Sequence, residues 1–420
     1  MTDTKPFDIS KRIVWEAYKR VKANKGAAGV DQQSLVEFEQ SLAGNLYRIW
    51  NRMSSGSYFP PPVRAVAIPK KSGGERILGV PTVADRIAQT VVTLVLNPVL
   101  EPHFHENSYG YRQGKSAHQA VEVTRKRCWK NDWVLEYDIR GLFDHIDHGL
   151  LMKALRYHTN NKWVLLYVQR WLTAPMQKKD GSRIQREVGS PQGGPLSPVL
   201  SNLFLHYALD NWLATRHKGI PFCRYADDGI IHCRTRKQAV YMHQQIAERL
   251  NECGLEIHPD KTRIVYCKDA NRTGQYENIQ FDFLGFTFRP RKALNSHGRA
   301  FLSFGPAPSG VALKSMRQTI RRWHLHLKSA YSLSDLAKRY GPVIQGWMGY
   351  YCRFRSSAFQ TIRFHLDKVL VRWAMRKFKR MRRHKARAVS WLREFSQRMP
   401  DLFPHWQVAS VVLAGSMGAR

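Results

Sequence analysis

A short stretch in the second half of the chain, residues 222–231 (Phe-Cys-Arg-Tyr-Ala-Asp-Asp-Gly-Ile-Ile), places two adjacent acids between two apolar runs that favour β-strands. Asp-Gly between such runs predicts a tight hairpin turn, so Asp227 and Asp228 are expected at the tip of a β-hairpin. Two carboxylates at a tip repel each other unless a cation neutralises them, and Mg²⁺ binds through one or two carboxylates together with substrate phosphates. A solvated surface turn is the alternative, because Asp and Gly are ordinary turn residues.

A second acid-bearing stretch lies upstream, at residues 133–147. It begins as a short strand pattern that ends in Asp138, followed by a glycine and the start of a helix. One carboxylate at a strand end and two on a hairpin can converge on two metal ions roughly 3.5–4 Å apart, the arrangement that stabilises both the attacking and the leaving oxygen of a phosphoryl transfer. From the residues alone, three unrelated surface acids remain the alternative to one shared metal site.

The net charge indicates the kind of partner. The chain has 67 Lys and Arg against 32 Asp and Glu, which gives a formal charge of +35. This is more than solubility requires, and a polyanion is the simplest explanation. Nucleic acid is preferred to a membrane, because no basic segment is coupled to a lipid-inserting face or a lipidation signal. The most apolar run, residues 90–100, is short and contains Asn97 and Pro98, so no membrane span is expected.

The six cysteines include no Cys-x-x-Cys pair, so neither a zinc ribbon nor a disulfide framework is indicated. The scattered histidines, including His145 and His148, are not expected to bind metal. The amino terminus lacks the apolar core of a secretory signal. A reducing, intracellular setting fits these features.

Tyr-Ala-Asp-Asp at residues 225–228, together with the run Asp-Ile-Arg-Gly-Leu-Phe-Asp-His-Ile-Asp-His at 138–148, resembles the palm of a reverse transcriptase. These residues are similar to those of the group II intron reverse transcriptase/maturase family. Further sequence motifs that resemble those of this family occur in the family's order over most of the chain. The resemblance implies an α+β fold of the right-hand polymerase type, with fingers, a palm built on an antiparallel sheet, and an α-helical thumb. The implied domains are an N-terminal extension and fingers (1–115), a palm with the catalytic aspartates (116–303), a helical thumb or maturase domain (304–374) and a basic C-terminal DNA-binding region (375–420).

The resemblance also implies the active site. Asp138, Asp227 and Asp228 are expected to be catalytic and to hold two Mg²⁺ ions, with Ile139 included in the metal site. Lys261, in a turn after a helix predicted over about residues 235–253, is expected near the triphosphate.

Residues 64–86 contain two β-like runs joined by Ser-Gly-Gly, with Lys70 before the turn and Arg76 after it. A mobile hairpin with these cations is suited to fold over a triphosphate, although a solvated charged hairpin is the alternative. The resemblance assigns Lys70 and Arg76 to the phosphates of the incoming nucleotide. It assigns Gln192, in a Pro-Gln-Gly loop, to the nucleotide pocket. It places the Phe143 ring against the sugar 2′ carbon, where it would exclude ribonucleotides; ordinary core packing of Phe143 is the alternative.

Residues 108–118 mix aromatic rings, glycines and cations, a composition that suits stacking on bases and contact with phosphates. Tyr109 and Tyr111 are equally compatible with core positions. The residues predicted to contact nucleic acid across the chain are Arg64, Tyr109, Arg112, Arg317, Arg321, Arg376, Lys377, Arg380 and Arg383.

The C-terminal part is strongly basic. Residues 281–288 are predicted to be an aromatic strand with a glycine kink, either the family's primer grip or a sheet edge, and residues 304–310 a Pro/Gly-rich linker. Residues 311–400 contain 22 Lys and Arg against three acids. Helices with one core face and one cationic face would bind an RNA·DNA duplex by shape and backbone. Eight of the twelve residues at 376–387 are cationic, which predicts a nucleic-acid patch, with a disordered basic arm as the alternative.

The function implied by the resemblance is an RNA-directed DNA polymerase that copies group II intron RNA into cDNA and binds the intron to assist splicing and mobility. The expected partners are template and intron RNA, primer and target DNA, and dNTPs, with no membrane; a homodimer is one candidate assembly. The expected location is the bacterial cytoplasm, in association with the nucleoid. The alternatives are a host-recruited reverse transcriptase in DNA repair or phage defence, and an RNA-binding splicing factor in which polymerisation is secondary. The His- and Cys-bearing endonuclease (HNH) domain of some relatives is not recognised before Arg420, so second-strand nicking is not expected.

Overall fold

The structure, a computed structural model, describes residues 5–69, 74–294 and 297–407. The chain divides into two compact units: residues 1–127 with 131–264, and residues 128–130 with 265–420.

The α-helices of the first unit are α1 (Lys11–Asn24), α2 (Leu35–Gln40), α3 (Leu42–Ser54), α4 (Val83–Leu100), α5 (Ala117–Cys128), α6 (Leu142–His145), α7 (His148–His158), α8 (Lys162–Leu172), α9 (Ser197–Leu205), α10 (Asn211–Arg216) and α11 (Arg236–Glu252). Its β-strands, the last of which continues into the second unit, are β1 (Val63–Pro69), β2 (Glu75–Val80), β3 (Trp133–Asp138), β4 (Met176–Gln177), β5 (Arg183–Ile184), β6 (Phe222–Tyr225), β7 (Asp228–Cys233) and β8 (Arg263–Tyr266).

The second unit contains the strands β9 (Phe281–Phe283), β10 (Phe286–Leu294) and β11 (Ala300–Pro308), followed by the helices α12 (Gly310–Arg322), α13 (Leu333–Arg355), α14 (Gln360–Lys377), α15 (Lys385–Arg398) and α16 (Pro404–Gln407). This mixture of helices and mainly antiparallel sheets agrees with the predicted α+β class.

Helix α4 forms the centre of the helical part of the first unit. The Thr82 hydroxyl accepts a hydrogen bond from the Asp85 N–H and caps its first turn, and α1 packs along it. With its 3-10 extension, residues 83–103 are long and apolar enough to cross a bilayer by length and composition, so the expectation that no segment reaches that length is wrong. However, 67% of the most apolar window is buried inside the protein, as in the core helix of a globular unit.

Two sheets organise the first unit. One has the strand order β2-β1-β4-β5, and its β1–β2 hairpin is the one predicted, with Arg64 opposite Val80. Residues 70–73, which include Lys70, lie outside the described residues. The other sheet has the order β6-β7-β3-β8, and α11 packs on β3 and β7. Its antiparallel pairings bring the two acidic stretches together.

The second unit corrects two predictions. Residues 281–288 are not one kinked strand, because Leu284 and Gly285 both have positive φ and turn the chain into a hairpin that pairs β9 with β10. Residues 304–308 are not a linker, because they belong to β11, which pairs with β10 along its whole length. Pro306 and Pro308 are tolerated there because β11 is an edge strand of its sheet.

The helices of the second unit share one hydrophobic core. It is built around Trp373 and Phe359 and extends to Leu392 of α15 and Trp406 of α16. The described residues beyond 375 therefore pack with the preceding helices. They do not form the disordered basic arm that was the alternative. The division of the chain into four domains stays a prediction.

Candidate active site

The hairpin of β6 and β7 turns at Ala226 and Asp227, between the paired residues Tyr225 and Asp228. We call these two turn residues the acidic turn. Ala226 has φ 56°, a left-handed conformation that costs a non-glycine residue energy and that surrounding contacts must hold in place. The hairpin was predicted, but the Asp-Gly pair does not form its turn, because Asp228 already begins β7.

Gly229, placed in the turn by the sequence pattern, instead lies inside β7 opposite Tyr137. A Cβ atom at position 229 would lie 2.0 Å from Cζ of Tyr137. The glycine is therefore required by the close approach of a buried ring on the neighbouring strand, and it lets that ring pack beneath the acids.

Strand pairing places the three predicted acids together. Asp138, the last residue of β3, is the antiparallel partner of Asp228, and Asp227 precedes it in the acidic turn. Burial, followed by the nearby charge of Asp138, raises the pKa of Asp227. The carboxylate of Asp228 reaches solvent, yet the surrounding protein, the charges of Asp227 and Asp138, and a hydrogen bond with Asp138 raise its pKa as well. Such mutual repulsion is what a bound cation relieves.

A lysine supplies positive charge beside these acids in the structure. The chain after α11 is fixed to the end of β3, since His258 N–H donates to the Asp138 carbonyl at 2.8 Å. This brings the ammonium of Lys261 to 2.8 Å from Asp138 Oδ2. Lys261 was predicted near the triphosphate; the structure places it on the first of the three acids.

Among the described residues, no group of three or more His, Cys, Asp or Glu side chains is arranged to hold a metal ion. Asp138 is bonded to Lys261, and Ile139, which was included in the predicted metal site, is buried with an apolar side chain. The chemistry of the donors still fits Mg²⁺, because carboxylate oxygens are its usual protein ligands. The metal site stays a prediction.

A cleft of about 640 Å³ in the first unit brings together several residues of the predicted nucleotide pocket. Arg76 donates from Nε to Oε1 of Gln192, and Phe143 lines the same cleft. Tyr111, which is 58% exposed, also lines it, and the charge of Asp227 contributes to a raised Tyr111 pKa, after burial as the main cause. The sequence therefore identified cleft residues from three separate segments.

The loop that carries Gln192 is held from both sides. The N–H of Ser190 donates to the Phe143 carbonyl at 2.7 Å, and the N–H of Gly79 on β2 donates to the Gln192 carbonyl at 2.8 Å. Gly189 has φ 83°, and a Cβ there would lie 2.7 Å from the Phe143 carbonyl oxygen. A glycine is needed at that position because the loop runs directly against α6.

Two models of known protein families match the chain. The family model described as reverse transcriptase (RNA-dependent DNA polymerase) matches residues 68–288, just over half of the chain. The chain belongs to the reverse transcriptase family. A second model, the maturase-specific domain of group II introns, matches residues 313–391 of this reverse transcriptase. These matches confirm the predicted family and the predicted enzyme class, RNA-directed DNA polymerase.

Relatives of this reverse transcriptase include intron-encoded proteins. The protein YkfC of Escherichia coli K12 is 29% identical over 294 residues, 61% of this chain and 77% of YkfC. The group II intron-encoded protein LtrA of Lactococcus lactis is 32% identical over 197 residues, 46% of this chain and 32% of LtrA. A putative COX1/OXI3 intron 1 protein of Saccharomyces cerevisiae is 30% identical over 199 residues, 47% of this chain and 23% of the relative. The chain thus spans a third or less of the length of these two intron proteins.

Two residues that were predicted to contact nucleic acid are instead buried inside the reverse transcriptase. Tyr109 is 6% exposed. The side chain of Arg112 is 5% exposed, pairs with Glu101 at 2.7 Å and donates to the carbonyls of His105 and Ser108. Because its donors are bound within the protein, Arg112 fixes the loop at residues 101–112 and does not face a template.

The remaining predicted contacts lie at the surface to different degrees. Arg321, Arg376, Arg380 and Arg383 are exposed, whereas Arg64 and Arg317 are half-buried. Lys377 is also half-buried, and its ammonium donates to the carbonyls of Ser329 and Tyr331 at 2.8 and 2.9 Å. A nucleic-acid role for these residues stays a prediction.

The sequence did not lead us to predict the role of Arg224, whose side chain donates to the Ala226 carbonyl in the acidic turn. Arg224 lies in the same motif as the acids but was considered only as part of a strand, and it is fully buried against Asp210. The available signal was a charged residue inside an otherwise apolar strand pattern, since a buried charge requires a partner.

Proposed function

We propose that this reverse transcriptase copies RNA into DNA by two-metal-ion nucleotidyl transfer, and that it binds a group II intron RNA to assist splicing and mobility. The observation that carries the polymerase part is the pairing of Asp138 with Asp228 across two neighbouring strands, with Asp227 beside them in the turn. The charge of Asp138 contributes to the raised pKa of Asp227 and of Asp228, and such a cluster of carboxylates suits a centre built for divalent cations.

Asp138 and Asp227 would hold two Mg²⁺ ions with support from Asp228, and the main chain at Ile139 adjoins them. When bound, the ions would lower the pKa of the primer 3′-hydroxyl and neutralise the charge of the leaving pyrophosphate. In this proposal Lys261 holds positive charge at Asp138 before the substrates bind and is then released toward the phosphates.

The nucleotide cleft would bind and orient the dNTP. Arg76, already oriented by its hydrogen bond to Gln192, presents its remaining donors as a fork for phosphate oxygens, and Lys70, next after β1 in the sequence, would join it there. Phe143 lies in α6 and is 7% exposed, so its ring would form a wall that excludes a 2′-hydroxyl by steric contact.

The proposed intron-binding role rests on the second unit. Its helices contain the match to the maturase-specific domain and carry a large excess of cations. Two of the relatives are named as intron proteins. We propose that Arg317, Arg321, Arg376, Arg380 and Arg383 contact RNA or DNA phosphates, with primer and target DNA as further partners. The same charge supports a nucleoid-associated location.

The test is the double variant Asp227→Ala with Asp228→Ala. We expect it to lose cDNA synthesis on a primed RNA template while keeping its affinity for intron RNA and its assistance of splicing. The matched control is Asp180→Ala with Glu248→Ala, which removes two exposed acids of the same unit and should keep full synthesis. Synthesis that survives the double Asp change would refute the assignment of the site.

A second candidate function is a splicing factor in which polymerisation is secondary, and the maturase-domain match favours it. This candidate predicts that splicing assistance persists in the double Asp variant and that wild-type synthesis on an exogenous template is weak. A third, a host-recruited enzyme in repair or defence, predicts no catalytic intron RNA in the flanking DNA, which sequencing of that DNA would establish.

A further inference from the structure

Arg224 is the most deeply buried charged side chain near the acids. It lies on β6, two residues before Ala226, and it is 0% exposed, as is its partner Asp210. Taking a charge out of water costs several kcal/mol unless every donor is paired. The arrangement around this guanidinium meets that requirement.

All five N–H donors of Arg224 have acceptors. Nε and Nη2 bind the two oxygens of Asp210 at 2.7 and 2.6 Å, a bidentate pair. Nη2 also donates to the Ser108 hydroxyl at 2.8 Å, while Nη1 donates to Asn202 Oδ1 at 3.2 Å and to the Ala226 carbonyl at 3.0 Å. A single side chain thus connects a helix, a loop and the acidic turn.

The bond to Ala226 is the contact that matters for the acids. Ala226 occupies the left-handed region, which alanine adopts only when its surroundings impose it. On the other side, a Cβ at Gly110 would lie 2.4 Å from the Ala226 nitrogen, so the loop that contains Gly110 presses on the same residue. Asn202 donates to the Gly110 carbonyl at 2.8 Å and thereby joins that loop to the network.

Asp210 reaches Arg224 from an irregular helix. Between α9 and α10, residues 206–210 form a π segment in which the Asn211 N–H bonds the carbonyl of His206, five residues earlier. Because an α-helix turns by about 100° per residue, the extra residue shifts the side chains that follow it by about 100° around the helix axis. Arg249 donates to the carbonyls of Tyr207 and Ala208 and stabilises the widened turn. Such π segments are frequent at functional sites.

We propose that Arg224 and Asp210 are a positioning pair, which holds the acidic turn so that Asp227 and Asp228 stand in register with Asp138. The pair acts through the Ala226 carbonyl and does not contact substrate. This inference rests on the proposed catalytic role of the acids. Apolar residues in place of a buried ion pair often keep or raise stability, so the role of the pair in catalysis is separable from its role in folding.

The test is the double variant Arg224→Met with Asp210→Leu, which fills the space without charge. We expect the variant to fold, with a lowered unfolding midpoint in urea because Ser108, Asn202 and the Ala226 carbonyl lose their donor. We expect kcat for dNTP addition to fall by about 10², the size of effect that a misplacement of about 1 Å produces, with KM for dNTP and the Kd for template–primer unchanged. Hydrogen exchange of a peptide spanning the acidic turn should be faster, while peptides from α11 should be unchanged.

Arg224→Lys provides a second variant in case the double variant does not fold. It keeps the charge beside Asp210, but a single ammonium cannot also reach Ala226, Asn202 and Ser108, so the same loss of kcat with KM retained is expected. The control Arg170→Met removes a half-buried arginine that donates to the carbonyls of Gly56 and Tyr58, and it should lower stability without lowering kcat.

A folded double variant with wild-type kcat and wild-type exchange in the turn would overturn the inference and leave the pair a stabilising contact. If Asp227→Ala with Asp228→Ala retained synthesis, the proposed function itself would fail. Loss of synthesis in that variant combined with full kcat in the pair variant would overturn only the positioning role.

Discussion

The buried carboxylate of Asp85 on α4 gives a prediction whose sign can be worked out from the structure. Asp85 is 0% exposed and accepts hydrogen bonds from the Tyr58 hydroxyl at 2.9 Å, from Trp171 Nε1 at 2.7 Å and from Gln89 Nε2 at 2.9 Å. Burial raises its pKa to about 6, although the three donors oppose the shift. Ionisation of this group therefore costs the folded state energy despite its full set of partners.

In the unfolded chain an aspartate titrates near pH 3.9. Between that pH and about 6, the native state holds a proton on Asp85 that the unfolded state has released. The free energy of unfolding therefore falls as the pH rises through this window, and the contribution stays unfavourable above it. A difference of about 2 in pKa corresponds to about 3 kcal/mol.

Asp85→Asn should remove this cost. The asparagine Oδ1 can accept the same bonds from Tyr58 and Trp171, and Gln89 can turn its amide to accept from the new NH₂ group. We expect the variant to match the wild type near pH 4 and to be more stable by up to about 3 kcal/mol above pH 6. The measurement is urea denaturation over about pH 4 to 8, followed by hydrogen exchange of α4 peptides, with variant and wild type compared at each pH.

Asp85→Ala is the matched control. It leaves three buried donors without an acceptor at every pH, so its free energy of unfolding should lie below that of Asp85→Asn throughout, by about 1–3 kcal/mol for each unpaired group. An Asp85→Asn variant less stable than the wild type above pH 6, and equal to it below, would show that the charged carboxylate stabilises the fold and would refute the reasoning.

Two further predictions concern substrates. Phe143→Ala should raise the ratio of ribonucleotide to deoxyribonucleotide incorporation by at least about tenfold, about 1.4 kcal/mol, because the wall of the cleft is removed. Single-nucleotide primer extension measures this ratio, and an unchanged ratio would show that Phe143 is only a core residue. Arg380→Gln with Arg383→Gln should reduce the slope of log K against log salt for RNA binding by about 2, whereas Arg112→Gln should leave the slope unchanged and lower the free energy of unfolding by about 1–3 kcal/mol. Equal slopes for the two variants would contradict the division between surface and buried arginines.

The elements that the sequence predicts well are those with a strong local pattern. The helix α11 and the strand β3 lie where the sequence predicts them, and the β1–β2 hairpin follows from two β-like runs around Ser-Gly-Gly. The meeting of Asp138 with Asp228 is different, because strands distant in the chain carry no local signal for their pairing. It was expected only through the resemblance to a family.

The errors have identifiable physical causes. Gly229 was expected in the turn, but it lies in β7, where the Tyr137 ring occupies the space that a side chain would fill. Tertiary packing therefore outweighed turn propensity at this position. The hairpin at Leu284 was missed because leucine rarely adopts a positive φ. Tyr109 and Arg112 were misassigned because aromatic rings and cations have the same composition in a buried hydrogen-bonded loop as in a nucleic-acid surface.

The residues that support the acidic turn could not be predicted from a sequence motif. Asp210 and Arg224 are 14 residues apart, on a helix and a strand, and the π segment that turns one toward the other has no recognisable sequence signal. A motif identifies the side chains that act on the substrate. The residues that hold those side chains in place depend on how separate helices and strands pack. Variants of Asp227 and Asp228 alone can therefore show that the acids are needed, whereas only variants of the buried pair can show what keeps those acids in register with Asp138.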